Sequence, residues 1–275
     1  MDELYILARR VLLDALDAFG EHRDAMVLVG AQAVYLHVGD AGLAIAPFTS
    51  DGDLVLNPAV LAEIPPLETA LRGAGFRPKR SDSVGVWVAH HPAGNSEKIE
   101  VCIDLLVPAE VSPGKGRRAA RLKGHDARAA RKVVGLEGAL VDLDRMQLRS
   151  LAEDDPRTLE IQVAGPAALL VSKLIKINDR AGTHRHSDKD ALDIARLLRG
   201  VETHAMSERM HRLLSDPRSA LVAGQAVDLL RTTFGRRAGV GIAMATRATG
   251  GLIDADELAV SCTFLTGDLL DALER

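Results

Sequence analysis

The sequence MVLVGAQAVYLHVGDAGLAIAPFTSDGDLVL, residues 26–56, joins two apolar runs through a glycine and a short helical segment. Met26–Val29 predicts a buried strand that ends at Gly30, and the second apolar run carries Asp51 and Asp53. Side chains alternate faces along a strand, and each residue rises about 3.3 Å, so the two carboxylates share a face about 6–7 Å apart. Such a pair favours Mg²⁺ (or Mn²⁺), which takes one or two carboxylates and completes its shell with substrate phosphates.

The turn between the first strand and the helical segment is a candidate phosphate site. Gly30 permits a tight strand-to-helix turn, whose free N–H groups could face a phosphate. The alternative is a surface turn followed by two solvated acids, and this stretch alone leaves both interpretations open.

Composition indicates an ordinary globular protein. The 275 residues are 47% hydrophobic and 26% charged, which allows one large domain or two small ones. The net charge of −4 argues against a general nucleic-acid binder but hides local clustering. Cys102 and Cys262 lie in apolar segments without metal-ligand spacing, which predicts buried thiols in a reducing compartment.

Nothing in the sequence predicts a membrane partner. No apolar run approaches the ~20 residues of a membrane span. The N-terminus, MDELYILARR, is typical of an amphipathic helix and not of a signal peptide. We therefore expect a cytoplasmic protein.

Hydrophobic periodicity and turn residues predict the remaining elements. Helices are expected over 2–20, 31–37 and 67–72, and an antiparallel strand pair over 84–90 and 99–107. Short edge strands are expected within 136–162. Further helices are expected to start at Pro166 and to cover 206–214, 219–232 and 256–273, with a Gly/Ala/Thr-rich connection over 236–251.

Asp104 interrupts the apolar run VCIDLLVP, residues 101–108. Carboxylates are rarely buried unless they are paired or bind a ligand. One interpretation is an acid at a strand end beside solvent. The other is a third metal ligand on a strand next to Asp51 and Asp53, an arrangement that suits two-metal phosphoryl transfer.

Residues 115–132, KGRRAARLKGHDARAARK, contain eight Lys or Arg against one acid. The segment is either a solvated face or a contact for RNA or a triphosphate. Aromatic residues make up only 3% of the chain, so backbone contact is favoured over base stacking. The candidate RNA-binding residues are Arg117, Arg118, Arg121 and Lys123.

The helix that starts at Pro166 carries three basic residues at helical spacing, Lys173, Lys176 and Arg180. The next predicted helix places Asp190 and Asp193 one turn apart. Asp190 also lies three residues after Ser187, where the acid of a capping box belongs, so a structural role for it stays open.

Taken in order, these motifs resemble the nucleotidyltransferase fold, and within it the AbiEii/AbiGii-type toxins of bacterial toxin–antitoxin and phage-defence systems, including the MenT-type mycobacterial toxins. The resemblance covers about residues 25–200. It departs from the family pattern at Ala31, where Gly or Ser is usual, so a serine contact to the triphosphate is replaced by backbone N–H donors alone. The motifs are Gly30-Ala31, Asp51-Gly52-Asp53, Lys173-Leu174 and Lys189-Asp190-Ala191-Leu192-Asp193-Ile194.

The resemblance implies an α+β fold in which helices flank a mixed nucleotidyltransferase sheet. A nucleotidyltransferase core over 1–164 is followed by a helical domain over 165–275, whose first helices complete the active site. The implied activity is NTP-dependent transfer of nucleotides to RNA, at the tRNA 3′ acceptor end, with release of pyrophosphate. A cognate antitoxin is the implied protein partner.

The resemblance also implies roles for individual residues. Asp51 and Asp53 hold Mg²⁺, and Asp104 completes the metal site or deprotonates the attacking hydroxyl. Lys173 contacts the triphosphate of the nucleotide, and Asp190 or Asp193 orients that lysine or the substrate. The implied nucleotide-binding residues are Gly30, Ala31, Lys173, Lys176 and Arg180.

Thr49 is a candidate regulatory residue. It shares strand parity with Asp51 and Asp53, so its hydroxyl is predicted to point toward the metal site, where a phosphate would silence the enzyme. The alternative is a β-favouring residue at a strand start.

Two rival functions stay open for the whole protein. One is transfer of a nucleotide to a small molecule or a protein, and the other is a catalytically weak binding module.

Overall fold

The computed structural model describes residues 2–43, 45, 48–92, 98–112, 116, 118–183 and 187–275. The chain divides into two compact units, each assembled from separate stretches of sequence. The first contains Met1–Gln32, Phe48–Val134 and Asp144–Val163, and the second contains Ala33–Pro47, Gly135–Leu143 and Ala164–Arg275. The functional boundary placed between residues 164 and 165 stays a prediction.

A mixed β-sheet forms the centre of the first unit. Its strands are β1 (Met26–Val29), β2 (Asp51–Leu56), β3 (Arg77–Pro78), β4 (Val86–Pro92), β5 (Lys98–Pro108), β6 (Arg131–Val133), β7 (Leu143–Arg149) and β8 (Thr158–Ala164). Among the described residues the order is β3-β4-β5-β2-β1-β8-β7, and β6 pairs with β5. β2 runs antiparallel to β1 and parallel to β5. The predicted α+β class with a mixed sheet is therefore confirmed.

β8 corrects the prediction that 136–162 holds only edge strands. It lies inside the sheet, between β1 and β7, and runs parallel to β1. Its Ile161 and Val163 are buried, and the strand extends to the buried Ala164. The exposed Thr158 and Glu160 made the segment resemble an edge strand, although its second half is apolar and central.

Helix α1 (Glu3–Phe19) covers one face of this sheet. The Asp2 side chain accepts hydrogen bonds from the backbone N–H groups of Leu4 and Tyr5, which fixes the helix start. Leu12 of α1 and Ile103 of β5 lie so close to Gly52 of β2 that a methyl group there would touch both. Because Gly52 points toward the helix, its neighbours on β2 point to the opposite face.

Two shorter helices follow β1 and β2 along the chain. Helix α2 (Gly30–Val38) starts where β1 ends, and helix α3 (Leu67–Gly73) packs against α1. Both helices fall where the sequence predicted them, within one or two residues at each end.

The segment 118–133 packs against other parts of the first unit, to which it belongs. The indole Nε1 of Trp87 donates a hydrogen bond to the carbonyl of Ala129 at 3.0 Å, and the backbone N–H of Gly85 donates to that of Arg128 at 2.9 Å. His125 Nδ1 accepts from the backbone N–H of Leu67 at 3.1 Å. Ala120, Leu122, Ala129 and Ala130 lie between the basic residues and are buried, so this segment is structural as well as basic.

The second unit consists mainly of helices. They are α4 (Pro166–Arg180), α5 (Lys189–Gly200), α6 (Thr203–Ser215), α7 (Ala220–Phe234), α8 (Val240–Ala248) and α9 (Ala255–Leu273). α8 lies within 236–251, where the sequence predicted only a connection. Gly241 lies against the ring of Phe234 and leaves no room for a side chain, so the small residues that resembled a linker allow α8 to pack.

The start of α4 is held by a buried carboxylate. One oxygen of Asp142 accepts hydrogen bonds from the backbone N–H groups of Ala167 and Ala168, both at 3.1 Å. The other oxygen accepts from Arg209 at 2.7 Å. These bonds fix the first turn of the helix that carries Lys173.

Across the part of the chain that is described, no helix is both long enough and apolar enough to cross a membrane.

Candidate active site

Three carboxylates share one face of the sheet in the first unit. Asp51 and Asp53 alternate with the buried Gly52 along β2. Asp104 on β5 is the register partner of Asp53 in the parallel β2–β5 pair. Register partners on strands about 4.8 Å apart point to the same face. The structure thus places together the three acids that the sequence singled out, each of them partly buried.

Gly30 makes the position of Asp53 possible. The residue before it, Val29, is the register partner of Asp53 in the antiparallel β1–β2 pair. Gly30 has a φ of +74°, a conformation that favours glycine. A methyl group on Gly30 would also overlap Oδ2 of Asp53. Both the backbone and the neighbouring carboxylate therefore require glycine here.

Thr49 contacts Asp51 directly. Its hydroxyl donates a hydrogen bond to Asp51 Oδ1 at 2.6 Å, and the residue is only 1% exposed. The hydroxyl thus lies on the carboxylate side, as strand parity predicted. A kinase could reach this buried hydroxyl only after the chain around residues 48–50 opens locally. The regulatory role of Thr49 stays a prediction.

Two buried residues that were not predicted, Arg9 and Gln32, support the start of β2. Arg9 Nε donates to Gln32 Oε1 at 2.7 Å, and Gln32 Nε2 donates to the backbone carbonyl of Asp51 at 3.0 Å. Arg9 also bonds the carbonyl of Arg149 and the hydroxyl of Tyr5. One signal for Arg9 was present in the sequence, because it lies between apolar positions of an amphipathic helix.

Asp104 has an arginine partner. Arg131 of β6 donates a hydrogen bond from Nη2 to Asp104 Oδ2 and forms an ion pair with it. The two side chains are 16% and 31% exposed, Asp104 being the more buried. Arg131 lies within the basic segment, but the sequence did not single it out.

The donor atoms on this face fit a hard cation. Asp51 and Asp53 supply carboxylate oxygens on one face of a strand, and Mg²⁺ takes one or two carboxylates in sites that also bind substrate phosphates. Residue 30 is a glycine, so it places no side chain of its own in the space that Oδ2 of Asp53 occupies. Within the described ranges, however, no three His, Cys, Asp or Glu residues form a group that could hold a metal. Two carboxylates therefore fit Mg²⁺, whereas the metal role of Asp104 stays a prediction.

The second unit contains a separate buried ionic cluster around Lys173. Its Nζ donates to Asp190 at 2.8 Å and to Asp193 at 2.7 Å, and the three side chains are 5%, 6% and 0% exposed. Burial alone would lower the pKa of Lys173, but Asp193 and Asp190 outweigh burial and raise it. Burial likewise opposes ionisation of Asp190, yet Lys173 and Lys176 hold its pKa well below the ordinary value.

Three further cations surround this core. Lys176 lies 3.0 Å from Asp190 and Arg180 lies 3.9 Å from it, whereas the buried Arg196 contacts Asp193 at 3.1 Å. Four cations thus face two carboxylates, which leaves a formal charge of +2. Lys176 and Arg180 are 36% and 28% exposed, so the excess charge faces solvent, where an anion could bind.

Two details of this cluster differ from the sequence expectations. Asp190 is not a capping-box acid, because α5 begins after Asp188 without a side-chain cap and Asp190 bonds lysines instead. Arg196 was not predicted at all. Its guanidinium lies 5.1 Å from the ring centroid of Tyr35 and donates to the carbonyl of Ile45, and neither partner is near it in sequence.

The predicted RNA-binding residues have different surroundings. Arg118 and Arg121 are exposed, and neither forms an ion pair with another described residue. Lys123 pairs with Glu63 at 2.5 Å. Arg117 lies outside the described residues. Part of the positive charge in the segment is therefore balanced locally, and the RNA-binding role stays a prediction.

Comparisons with known proteins place the chain beside one enzyme family. A family model described as Nucleotidyltransferase matches residues 9–221 of the chain. Among solved structures, an antigenic nucleotidyltransferase-like protein from Paracoccidioides brasiliensis is similar, with 15% sequence identity and a TM-score of 0.43 over 82% of this chain and 93% of that chain. No curated protein matches the chain.

We expect Gly30→Ala to weaken divalent-metal binding at least tenfold and to destabilise the protein by about 1–2 kcal/mol, the cost of a left-handed conformation for an L-residue. The added methyl group must displace the Asp53 carboxylate. Mn²⁺ titration and urea unfolding measure the two effects. Gly75→Ala is the matched control, because Gly75 has a φ of +91° and open space around its Cβ position. Equal Mn²⁺ binding by the two variants would contradict the assignment.

We expect Lys173→Met to lower the free energy of unfolding by about 3–5 kcal/mol, because it leaves two buried carboxylates short of a partner. Lys176→Met, one helical turn away and partly exposed, should cost less than about 1 kcal/mol and instead weaken NTP binding. Urea unfolding and calorimetric titration with NTP separate the two. A Lys173→Met protein of unchanged stability would show that Asp190 and Asp193 do not depend on Lys173 as a partner.

Proposed function

Since the chain belongs to the nucleotidyltransferase family, we propose that it is an NTP-dependent enzyme that adds nucleotides to RNA, at the tRNA 3′ acceptor end. The observation that carries the proposal is the carboxylate face of the sheet, where Asp51, Asp53 and Asp104 lie together and Gly30 leaves room for Asp53. By its resemblance to the AbiEii/AbiGii-type proteins, we place it as the toxin of a toxin–antitoxin pair, acting in the cytoplasm and silenced by a cognate antitoxin.

In this proposal Asp51 and Asp53 hold Mg²⁺ (or Mn²⁺). When bound, the ion supplies positive charge to the triphosphate of the NTP. Thr49 orients Asp51 through its hydroxyl, and the Arg9–Gln32 pair fixes the backbone at the same residue. The protein's own contribution is therefore mainly to position the carboxylates before substrate binds.

The chemical step is an in-line displacement. The oxygen of the RNA 3′ hydroxyl attacks the α-phosphorus, a new P–O bond forms, and the bond to the bridging oxygen of the β-phosphate breaks. Pyrophosphate leaves, and the hydroxyl proton passes to a carboxylate or to water. Little covalent chemistry falls to the protein, so positioning and charge neutralisation supply the rate.

Lys176 and Arg180 are proposed to bind the triphosphate. They carry the solvent-facing part of the excess positive charge in their cluster. Lys173 is enclosed by Asp190 and Asp193, so we assign it to hold that cluster together and to place the charges of its neighbours.

Arg118 and Arg121 are the proposed contacts to the RNA backbone, because their guanidinium groups are exposed and lack acidic partners in the described residues. The rival acceptor is a small molecule or a protein, which needs no such contacts. The pairing of Lys123 with Glu63 and of Arg131 with Asp104 favours that rival, since it reduces the charge available to RNA. A catalytically weak binding module is the third alternative.

Incubation with each labelled NTP and total tRNA, followed by location of the label, separates these functions. Label at the tRNA 3′ end supports the proposal, and label on protein or small molecules supports the rival. The absence of transfer with every NTP and acceptor would leave only the binding module.

We expect Asp51→Asn and Asp53→Asn each to lower the transfer rate roughly hundredfold or more, because each removes a charged ligand of the Mg²⁺ that would neutralise the reacting phosphates. Neither should unfold the protein, since each substitution relieves repulsion between like charges. Initial rates and thermal melts test both statements. The exposed Asp82→Asn is the control, and retained activity in both site variants would refute the assignment.

We expect the double variant Arg118→Gln/Arg121→Gln to bind tRNA more weakly and with a flatter dependence on salt, by about one unit of slope for each phosphate that is no longer bound. NTP binding should be unchanged. The control replaces two arginines of the same unit, Arg80 and Arg145. An unchanged salt slope in the first variant would indicate that Arg118 and Arg121 do not contact RNA and belong to a solvated surface.

We expect phosphothreonine installed at position 49 to abolish transfer, because a phosphate of about −1.5 to −2 charge would stand beside Asp51 and compete with the substrate's phosphates. Phosphoserine at the exposed Ser50, which has the opposite strand parity, should leave activity nearly unchanged. Full activity of the position-49 protein at saturating Mg²⁺ and NTP would end the regulatory hypothesis.

A further inference from the structure

Arg131 is built into the sheet next to the carboxylate face. β6 runs parallel to β5, and Arg131 is the register partner of Leu106, two residues after Asp104. Leu106 and Asp104 point to the same face, so the guanidinium lies over the carboxylate face. An isolated bridge to Ala119 holds the other side of Arg131.

The stem of Arg131 is also confined. A methyl group on Gly85 would lie 2.7 Å from the backbone nitrogen of Arg131 and 3.0 Å from its Cγ, so the arginine packs directly on this glycine. Gly85 has a φ of +70°, which a larger residue would adopt only with strain. The backbone and the stem of Arg131 are therefore held in place, and they position the guanidinium beside Asp104.

The acids of this face differ in their counter-charges. Asp51 accepts a hydrogen bond from a neutral hydroxyl, whereas Asp104 is paired with a full positive charge. A guanidinium carries five N–H donors, and Asp104 accepts from one nitrogen of Arg131. Arg131 Nε is buried and has no hydrogen-bond partner among the described residues, so the group is not saturated by the protein.

We propose that Arg131 takes the place of a second metal ion. In this arrangement, which rests on the proposed function, Asp51 and Asp53 hold one divalent cation, and Arg131 supplies a permanent positive charge at Asp104. Nε is buried, so the N–H donors of the two terminal nitrogens that Asp104 does not take bind a phosphate oxygen of the substrate. Asp104 is then a positioning residue for Arg131 and not a metal ligand.

The test is the number of Mn²⁺ ions that the full chain binds in the presence of a non-hydrolysable NTP analogue, measured by electron paramagnetic resonance of free Mn²⁺. We expect one ion per chain for the unchanged protein and for Arg131→Lys, which keeps the charge. Arg131→Gln should bind a second Mn²⁺ ion. The Mn²⁺ concentration that it needs for this should be at least tenfold lower than any at which the unchanged protein binds a second ion. Adding Asp104→Asn to Arg131→Gln should return the count to one.

Lys79→Gln is the matched control. Lys79 lies 3.4 Å from the Sγ of Cys102, which shares the face of Asp104, so this variant also removes one nearby positive charge but leaves the Arg131–Asp104 pair intact. It should bind one ion. A gain of a second ion in Lys79→Gln equal to that in Arg131→Gln would reduce the effect to general electrostatics and overturn the proposal.

Asp104→Asn alone keeps the proposal testable if Arg131→Gln does not fold. We expect it to bind one Mn²⁺ with affinity within about threefold of the unchanged protein, whereas loss of binding would make Asp104 a ligand and overturn the inference. Two ions bound by the unchanged protein would also overturn it and leave the transferase proposal standing. No ion bound at all would refute the metal site of the proposed function, and this inference with it.

Discussion

The close approach of the Asp53 carboxylate to the backbone of Gly30 is the constraint on which the first unit depends. A side chain at residue 30 and a carboxylate at residue 53 cannot occupy the same space, and the left-handed turn needs glycine independently. Once Asp53 is fixed by its register with Val29, strand alternation fixes Asp51, and the parallel pairing with β5 fixes Asp104. One turn thereby determines the direction of three acids.

The two units differ in how their charged side chains are arranged. In the first, like charges are gathered on one face, and a hydroxyl, a glycine turn and an arginine keep the group compatible with a folded sheet. In the second, Lys173 and its two carboxylates are buried so completely that each requires the others. Buried groups of this kind add little net stability, but removing one of them is costly, so Asp190 stays in place for its contacts with Lys176 and Arg180.

The sequence was sufficient wherever the controlling interactions are local. The parity of Thr49, Asp51 and Asp53 follows from strand geometry alone, and Asp104 stood out because a carboxylate interrupts an apolar run. Arg9 and Arg196 each have one partner in their own helix, Tyr5 and Asp193, but their other partners, Gln32 and the Ile45 carbonyl, are distant in the sequence. The partner of Arg131, Asp104, is 27 residues away, so the sequence showed neither its position nor its role. Helix α8 was not predicted for a related reason. Gly241 is typical of a linker, and only the structure shows that it makes room for the ring of Phe234.

The burial of Trp87 has a practical consequence for measurements on this protein. It is the single tryptophan of the chain, and its indole is bonded to the Ala129 carbonyl two residues before Arg131. Its emission therefore reports on the packing of β4 against the segment 118–133 in the first unit, while the helical unit contributes no tryptophan signal. Far-ultraviolet circular dichroism is dominated by the helices of the second unit, so comparing the two spectroscopic signals during unfolding would reveal whether the units melt together or one after the other.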